Sequence, residues 1–178
     1  MPNPNLLRIQ RVSRRFRWLF NVLIISTPIA TILFWVFFDE LTQGKMDLPI
    51  TLYSPLSTTS LLLAGIASLL PMSITLYNLI TLRNLFRLYE QGIVFAKENA
   101  QCFKRLGYSL IAWVIAHIIY IPLLSLALTF ENPPVMRAIT IQFGILEPLI
   151  LIIGAIVVFI SWIMREATKL EDEQAYTV

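Results

Sequence analysis

The chain has 178 residues, of which 57% are hydrophobic and only 14% charged, whereas about a quarter of an ordinary soluble domain is charged. That imbalance excludes a soluble enzyme of this size. Fourteen Lys and Arg stand against eleven Asp and Glu, an excess too small to argue for direct nucleic-acid binding, and the placement of the charges points to a membrane instead.

Trp18 to Phe38 and Leu48 to Leu82 carry no charge. Leu106 to Phe130 holds only His117, and Ala138 to Met164 holds a single carboxylate, Glu147. Each run reaches or exceeds the ~20 residues that a bilayer span requires. The fold class expected is an all-α membrane protein, a four-transmembrane-helix bundle with spans over about 18–38, 58–82, 106–130 and 138–164. The polar remainder is too short to bury a core of its own, so residues 1–178 form one membrane domain. No nucleophile–base pair, phosphate loop or pocketed carboxylate pair stands in the sequence, and the reading is of a non-enzyme without a cofactor. Cys102 is the only cysteine. It excludes an internal disulfide, leaves a metal site without partners, and reads as a reduced thiol facing cytosol.

The cytoplasmic segment 1–17 is predicted to be helical, with Asn3 as cap and Pro4 in the first turn. Leu6, Ile9, Val12 and Phe16 share one face and Arg8, Arg11, Arg14 and Arg15 the other, so the segment suits a headgroup layer. It is either a topology signal or a docking surface. The first span is retained. Its apolar stretch is longer than the 7–15 residues of a signal-peptide core, and it ends in Phe37, Phe38, Asp39 and Glu40 with no small-residue cleavage site. In the second span Ser60, Ala64 and Ser68 form a small-residue seam, either within the bundle or between two copies. Helices two, three and four are expected to extend into the cytoplasm. Arg83, Arg87 and Tyr89 continue the second and Gly92 stops it. Lys97 begins the third, and the fourth runs on to about Leu170. Phe86, Phe95, Phe103 and Leu170 would give that projection a small core.

The basic residues orient the chain. Arg8, Arg11, Arg14, Arg15, Arg17, Arg83, Arg87, Lys97, Lys104, Arg105, Arg165 and Lys169 fall on one side, and Lys45 and Arg137 on the other. Short loops rich in Lys and Arg remain cytoplasmic, so both termini are placed inside. Trp18, Tyr108 and Trp162 fall near the inner interface and Trp35 and Tyr53 near the outer one, as aromatic belts do.

Two ionisable groups stand inside the apolar runs. A helical rise of ~1.5 Å per residue from Arg105 puts His117 ~18 Å into the bilayer, near its midplane. Trp113 and Tyr120 share its face, and Ser73, Ser26 and Thr27 lie at similar depth. A mid-membrane polar cluster of His117, Ser73 and Thr27 is therefore a candidate site, either functional or structural glue. The same rise from Arg165 places Glu147 ~27 Å away, near the outer interface, where it would hydrogen-bond at the rim or pair with Arg137 or Lys45. In the tail, Glu171, Asp172 and Glu173 are acidic and face the basic Arg83, Arg87, Lys104 and Arg105. The tail is thus either a displaceable latch or a frayed terminus.

Leu88, Tyr89, Gly92, Phe95 and Asn99, followed by Arg105, Leu106 and Gly107, make one motif. Glu166, Leu170, Glu173, Gln174, Thr177 and Val178 make a second, with Ala167 where a glycine is expected. On these residues the chain resembles a family of small bacterial membrane proteins, domain of unknown function 2975, over nearly its whole length. The resemblance implies four spans in the bacterial inner membrane and brings no biochemical activity with it. It also implies a genomic context, a neighbouring small helix-turn-helix transcription regulator. The function expected is a regulatory or interaction protein that binds such a regulator through Arg83, Arg87, Tyr89, Phe95, Asn99, Lys104, Arg105, Glu173, Gln174, Thr177 and Val178. The alternatives are a small transporter or channel-like protein using the polar cluster around His117, as a homo-oligomer, or a structural or immunity-type membrane protein.

Overall fold

The structure, a computed structural model of the chain, describes residues 4–42, 56–94, 96–133, 137 and 139–175. Among these the regular secondary structure is all helical. Helix α1 spans Pro4–Val36, the short α2 Phe38–Thr42, α3 Thr58–Glu90, α4 Lys97–Leu128 and α5 Leu146–Ala175. Four of the five are long and apolar enough to cross a membrane. The molecule is a multi-pass, four-span helical membrane protein.

The long helices pack in chain order. α1 lies on α3, α3 on α4 and α4 on α5, with no contact between α1 and α5 among the described residues. Each long helix continues past its apolar run at the same end of the molecule. α1 does so at its N-terminus, so residues 4–17 are not a separate amphipathic helix. They extend the first span, and they are held against α3 by ion pairs. Arg14 Nε lies 2.9 Å from Glu90 Oε1 and Arg17 Nε 3.0 Å from Glu90 Oε2. Phe16 stacks on Phe86 and Phe20 is tilted against it, with ring centroids 4.9 and 5.4 Å away. Phe86 thus packs on α1 instead of joining Phe103, and Leu170 is exposed. The core at this end is instead Leu85, Cys102 and Leu106, with Leu82, Leu88, Tyr89, Phe103 and Val157 against it. Cys102 therefore faces packed side chains and not solvent. Burial pushes its thiol above the ordinary range, against a weaker downward pull from Arg105, and burial also raises Tyr89.

The α3–α4 turn follows from two motif residues. Gly92 takes φ +82°, a left-handed conformation that glycine adopts without a Cβ penalty. Its N–H donates to the Tyr89 carbonyl and the Ile93 N–H to the Leu88 carbonyl, both at 3.0 Å, which is the Schellman termination of a helix. Asn99 then reaches back from α4, its Nδ2 donating to the Ile93 and Val94 carbonyls at 2.9 and 2.7 Å.

The seam Ser60, Ala64 and Ser68 is buried within the bundle. Ala64 belongs to a cluster with Phe38, Ala127 and Leu128. Trp35 packs against this interior too. Its Nε1 donates to Ser68 Oγ at 2.9 Å and its ring stacks on Phe38 at 5.0 Å.

The fourth span departs most from expectation. Its helix begins at Leu146, while residues 139–145 are non-helical. Pro148 explains the start: it has no N–H to donate to the residue 144 carbonyl, and its ring clashes there if a helix continues upstream. α5 crosses α4 at glycines. A Cβ added to Gly107 would lie 2.5 Å from Val158 Cγ2 and 2.8 Å from the Gly154 carbonyl oxygen, so the two backbones touch, as small residues permit in membranes. Replacing Gly107 with Ala must push α5 away, and a loss of about 1–3 kcal/mol of unfolding free energy is expected. Chemical denaturation in mild detergent measures it. Wild-type stability in that variant would mean that the helices do not cross there.

Candidate functional site

The glycine crossing sets the register of α5 on α4, and the register brings the two ionisable residues of the apolar segments together. His117 lies about half-way along the apolar part of α4, and Glu147 sits in the first turn of α5. His117 Nδ1 is 3.2 Å from Glu147 Oε1, an ion-pair distance that lies off the line of a straight hydrogen bond. The second carboxylate oxygen, Oε2, accepts the Gly144 N–H at 2.8 Å. That bond satisfies a backbone donor of the non-helical segment that leads into α5, and the carboxylate stands at the positive end of the α5 dipole. Glu147 is 7% exposed. Glu147 is ~27 Å of helix from Arg165, but Arg165 does not mark the interface. α5 runs on beyond the apolar layer, so Arg165 lies ~10 Å past the level of Arg105, and Glu147 falls opposite His117 instead of near the outer rim. Arg137 is not its partner: Arg137 Nε donates to the Asn132 carbonyl at 3.3 Å. Lys45 lies outside the described residues.

The imidazole is held on its other sides by aromatic rings. Trp113 stacks on it, centroids 5.0 Å apart and 11° from parallel, and Tyr120 is tilted against it at 6.3 Å. Beyond the ring opens a cavity of about 590 Å³ between α1, α3 and α4. Hydroxyls of Ser26, Thr27, Thr31, Ser68 and Thr75 line it, together with Phe34, Trp35, Trp113 and Tyr120. The Tyr120 hydroxyl is 3.3 Å from Ser68 Oγ, which ties the His117 wall to the seam on α3. This arrangement can hold a proton, or a small cation, at a carboxylate–imidazole pair that borders a part-polar space.

Of the cluster expected from sequence, His117 and Thr27 meet at this cavity. Ser73 does not. It is exposed, donates to the Leu70 carbonyl at 2.8 Å, and lines a different cavity of about 760 Å³ with Tyr77, Gln101, Lys104, Arg105 and Tyr108. Equal depth does not imply the same face, and Ser73 points to another side of α3 from Ser68 and Thr75.

The residues expected to bind a partner do not form one surface among the described residues. Arg83 and Arg87 line a pocket of about 340 Å³ with Arg17, Asn21 and Asn84, while Lys104 and Arg105 line the larger groove just described. Tyr89 is half-buried, and Asn99 is fully buried with its amide holding the turn, so Asn99 is a structural residue and not an exposed contact. Glu173 and Gln174 belong to the last turn of α5. Phe95, Thr177 and Val178 lie outside the described residues. Sequence reasoning missed Glu90, whose carboxylate clamps two arginines of α1, and the partner of Ser68, which accepts from Trp35. It also missed the pairing of Glu147, for which the Glu147–Pro148 step was the available sign, since that step reads as a helix start. Among the described residues, no three His, Cys, Asp or Glu side chains come together as a metal site.

Fold and site define a four-span membrane protein with a carboxylate–histidine pair inside its apolar layer. The profile of the family described as "Protein of unknown function (DUF2975)" matches residues 28–178, and the chain belongs to that family. The matched stretch includes the Schellman glycine, Asn99, the Gly107 crossing and the His117–Glu147 pair. No curated protein and no solved structure matches the chain.

Proposed function

We propose that this protein is a small proton-linked transporter or channel-like protein, with no enzymatic activity of its own, in which the Glu147–His117 pair is the proton-binding centre. The observation that carries this reading is the 3.2 Å approach of the two side chains. A charged side chain at the centre of a membrane helix costs ~2.5–3.5 kcal/mol on insertion scales and marks proton and ion pathways. Here the two such groups in the apolar runs face each other beside a cavity lined by hydroxyls and aromatic rings, a wall suited to a small amphipathic solute. The helices pack as a row and leave that cavity open on one side, so the working form is a homodimer in which a second copy closes the path.

The chemistry follows from the residues. With the pair charged, carboxylate and imidazolium attract across a short gap of low dielectric, and α5 is drawn to α4. Protonating Glu147 removes that attraction, and the Gly144 N–H loses its charged acceptor. The start of α5 is then free to shift, with the glycine crossing as its pivot.

The test is dissipation of an imposed pH gradient by the full chain in liposomes, with the membrane potential clamped. Wild type should collapse the gradient at least about tenfold faster than Glu147→Gln, as loss of an essential proton carrier requires. Equal rates in wild type, Glu147→Gln and empty vesicles would reject the proposal.

A second reading is favoured by a different observation, the basic and aromatic groove formed by Gln101, Lys104, Arg105, Tyr77 and Tyr108. In the orientation set by the charges, this groove faces the cytoplasm of a bacterial cell and would dock an acidic surface of the helix-turn-helix regulator that the family context suggests. Co-purification of such a regulator in mild detergent, lost in Lys104→Glu/Arg105→Glu, would support it. Purification of the chain without that regulator from its native membranes would remove it.

A further inference from the structure

The pocket at the junction of α1 and α3 has a property the His117 site does not use. Arg17 and Asn21 stand one turn apart on α1, Arg83 and Arg87 one turn apart on α3, and Asn84 completes a cavity of about 340 Å³. Three guanidiniums and two amides are therefore gathered around one space. Arg17 is balanced by Glu90 at 3.0 Å. Arg83 and Arg87 have no carboxylate partner among the described residues. Guanidiniums brought together without counter-charge repel one another, and their donors are arranged to grip phosphate oxygens in pairs.

The location narrows the ligand. Arg17 is the last charge before the apolar run of α1, and Arg83 the first charge after that of α3. Trp18, beside Arg17, is 70% exposed, as an interfacial anchor is. The pocket thus lies at headgroup height, where basic pockets between helices bind anionic lipid. We infer that Arg17, Arg83 and Arg87 form a binding site for a phosphate ester, and that its occupant is the headgroup phosphate of an anionic phospholipid. Asn21 and Asn84 donate to the remaining oxygens. A lipid bound there bridges α1 and α3 beside the Arg14–Glu90–Arg17 clamp and so strengthens the attachment of the α1 extension.

The experiment uses the full chain in mild detergent, titrated with phosphatidylglycerol, with phosphatidylcholine or with inorganic phosphate, and reads the thermal unfolding midpoint. Phosphatidylglycerol should raise the midpoint saturably, phosphatidylcholine and inorganic phosphate should not, and Arg83→Gln/Arg87→Gln should weaken the apparent affinity about tenfold or more. Arg8→Gln/Arg11→Gln, which changes exposed arginines outside the pocket, should respond as wild type does. If Arg83→Gln/Arg87→Gln fails to fold, Arg83→Lys/Arg87→Lys replaces it. Lysine keeps the charge and loses the paired donors, and an intermediate affinity is expected. An equal response to inorganic phosphate would overturn the lipid as occupant. An unchanged response in both pocket variants, or an equal loss in Arg8→Gln/Arg11→Gln, would overturn the site.

Discussion

Backbone N–H and C=O groups inside a bilayer have no water to bond, so non-helical chain is tolerated there only against protein or a water-filled cavity. α5 meets that constraint unusually, because it begins at the level of His117, half-way along α4. Pro148 sets the start by denying the upstream carbonyl a donor. Glu147 then serves as both cap and charge, one oxygen on the Gly144 N–H and the other toward His117. The segment that leads into α5 is stitched to α4 farther out, where the Thr140 N–H donates to Ser125 Oγ at 3.0 Å. A helix end, a buried acid and the only histidine thus depend on one another.

The glycine crossing makes this possible at a distance. Gly107 and Gly154 let α4 and α5 touch backbone to backbone. Contact that close requires small residues on both helices, and the register it sets decides which residue of α5 stands opposite His117. The other end of the molecule is built differently. The arginines of α1, Glu90 and the stacked Phe16, Phe20 and Phe86 join α1 to α3 through charge and aromatic contact, and the Gly92 turn with Asn99 joins α3 to α4.

Much of this was legible in the sequence. The four long apolar helices follow from the charge-free runs, and Gly92 and Lys97 marked the end of α3 and the start of α4. Trp113 and Tyr120 lie beside His117 because i±3 and i±4 neighbours share a helix face. What failed was relative depth and relative rotation. Depth counted from the nearest charge assumes that the charge marks the interface. Arg165 does not, because α5 continues well beyond the apolar layer. Rotation cannot be read from depth at all, which is why Ser73 was grouped with His117 although the residues that face it are Ser68 and Thr75. The small seam Ser60–Ala64–Ser68 was visible, but its partners, Trp35 and Tyr120, come from helices far apart in sequence. The Arg14–Glu90–Arg17 clamp was hidden for the same reason: nothing in a single chain's spacing says that residues 14 and 90 meet.

The central claim is that His117 and Glu147 meet inside the apolar layer and depend on one another there. The direct measurement is a double-mutant cycle of His117→Gln and Glu147→Gln on the unfolding free energy of the full chain in mild detergent. The account predicts that the two losses are not additive, with an interaction of about 0.5–3 kcal/mol between the residues. Losses that add to within about 0.3–0.5 kcal/mol would contradict it.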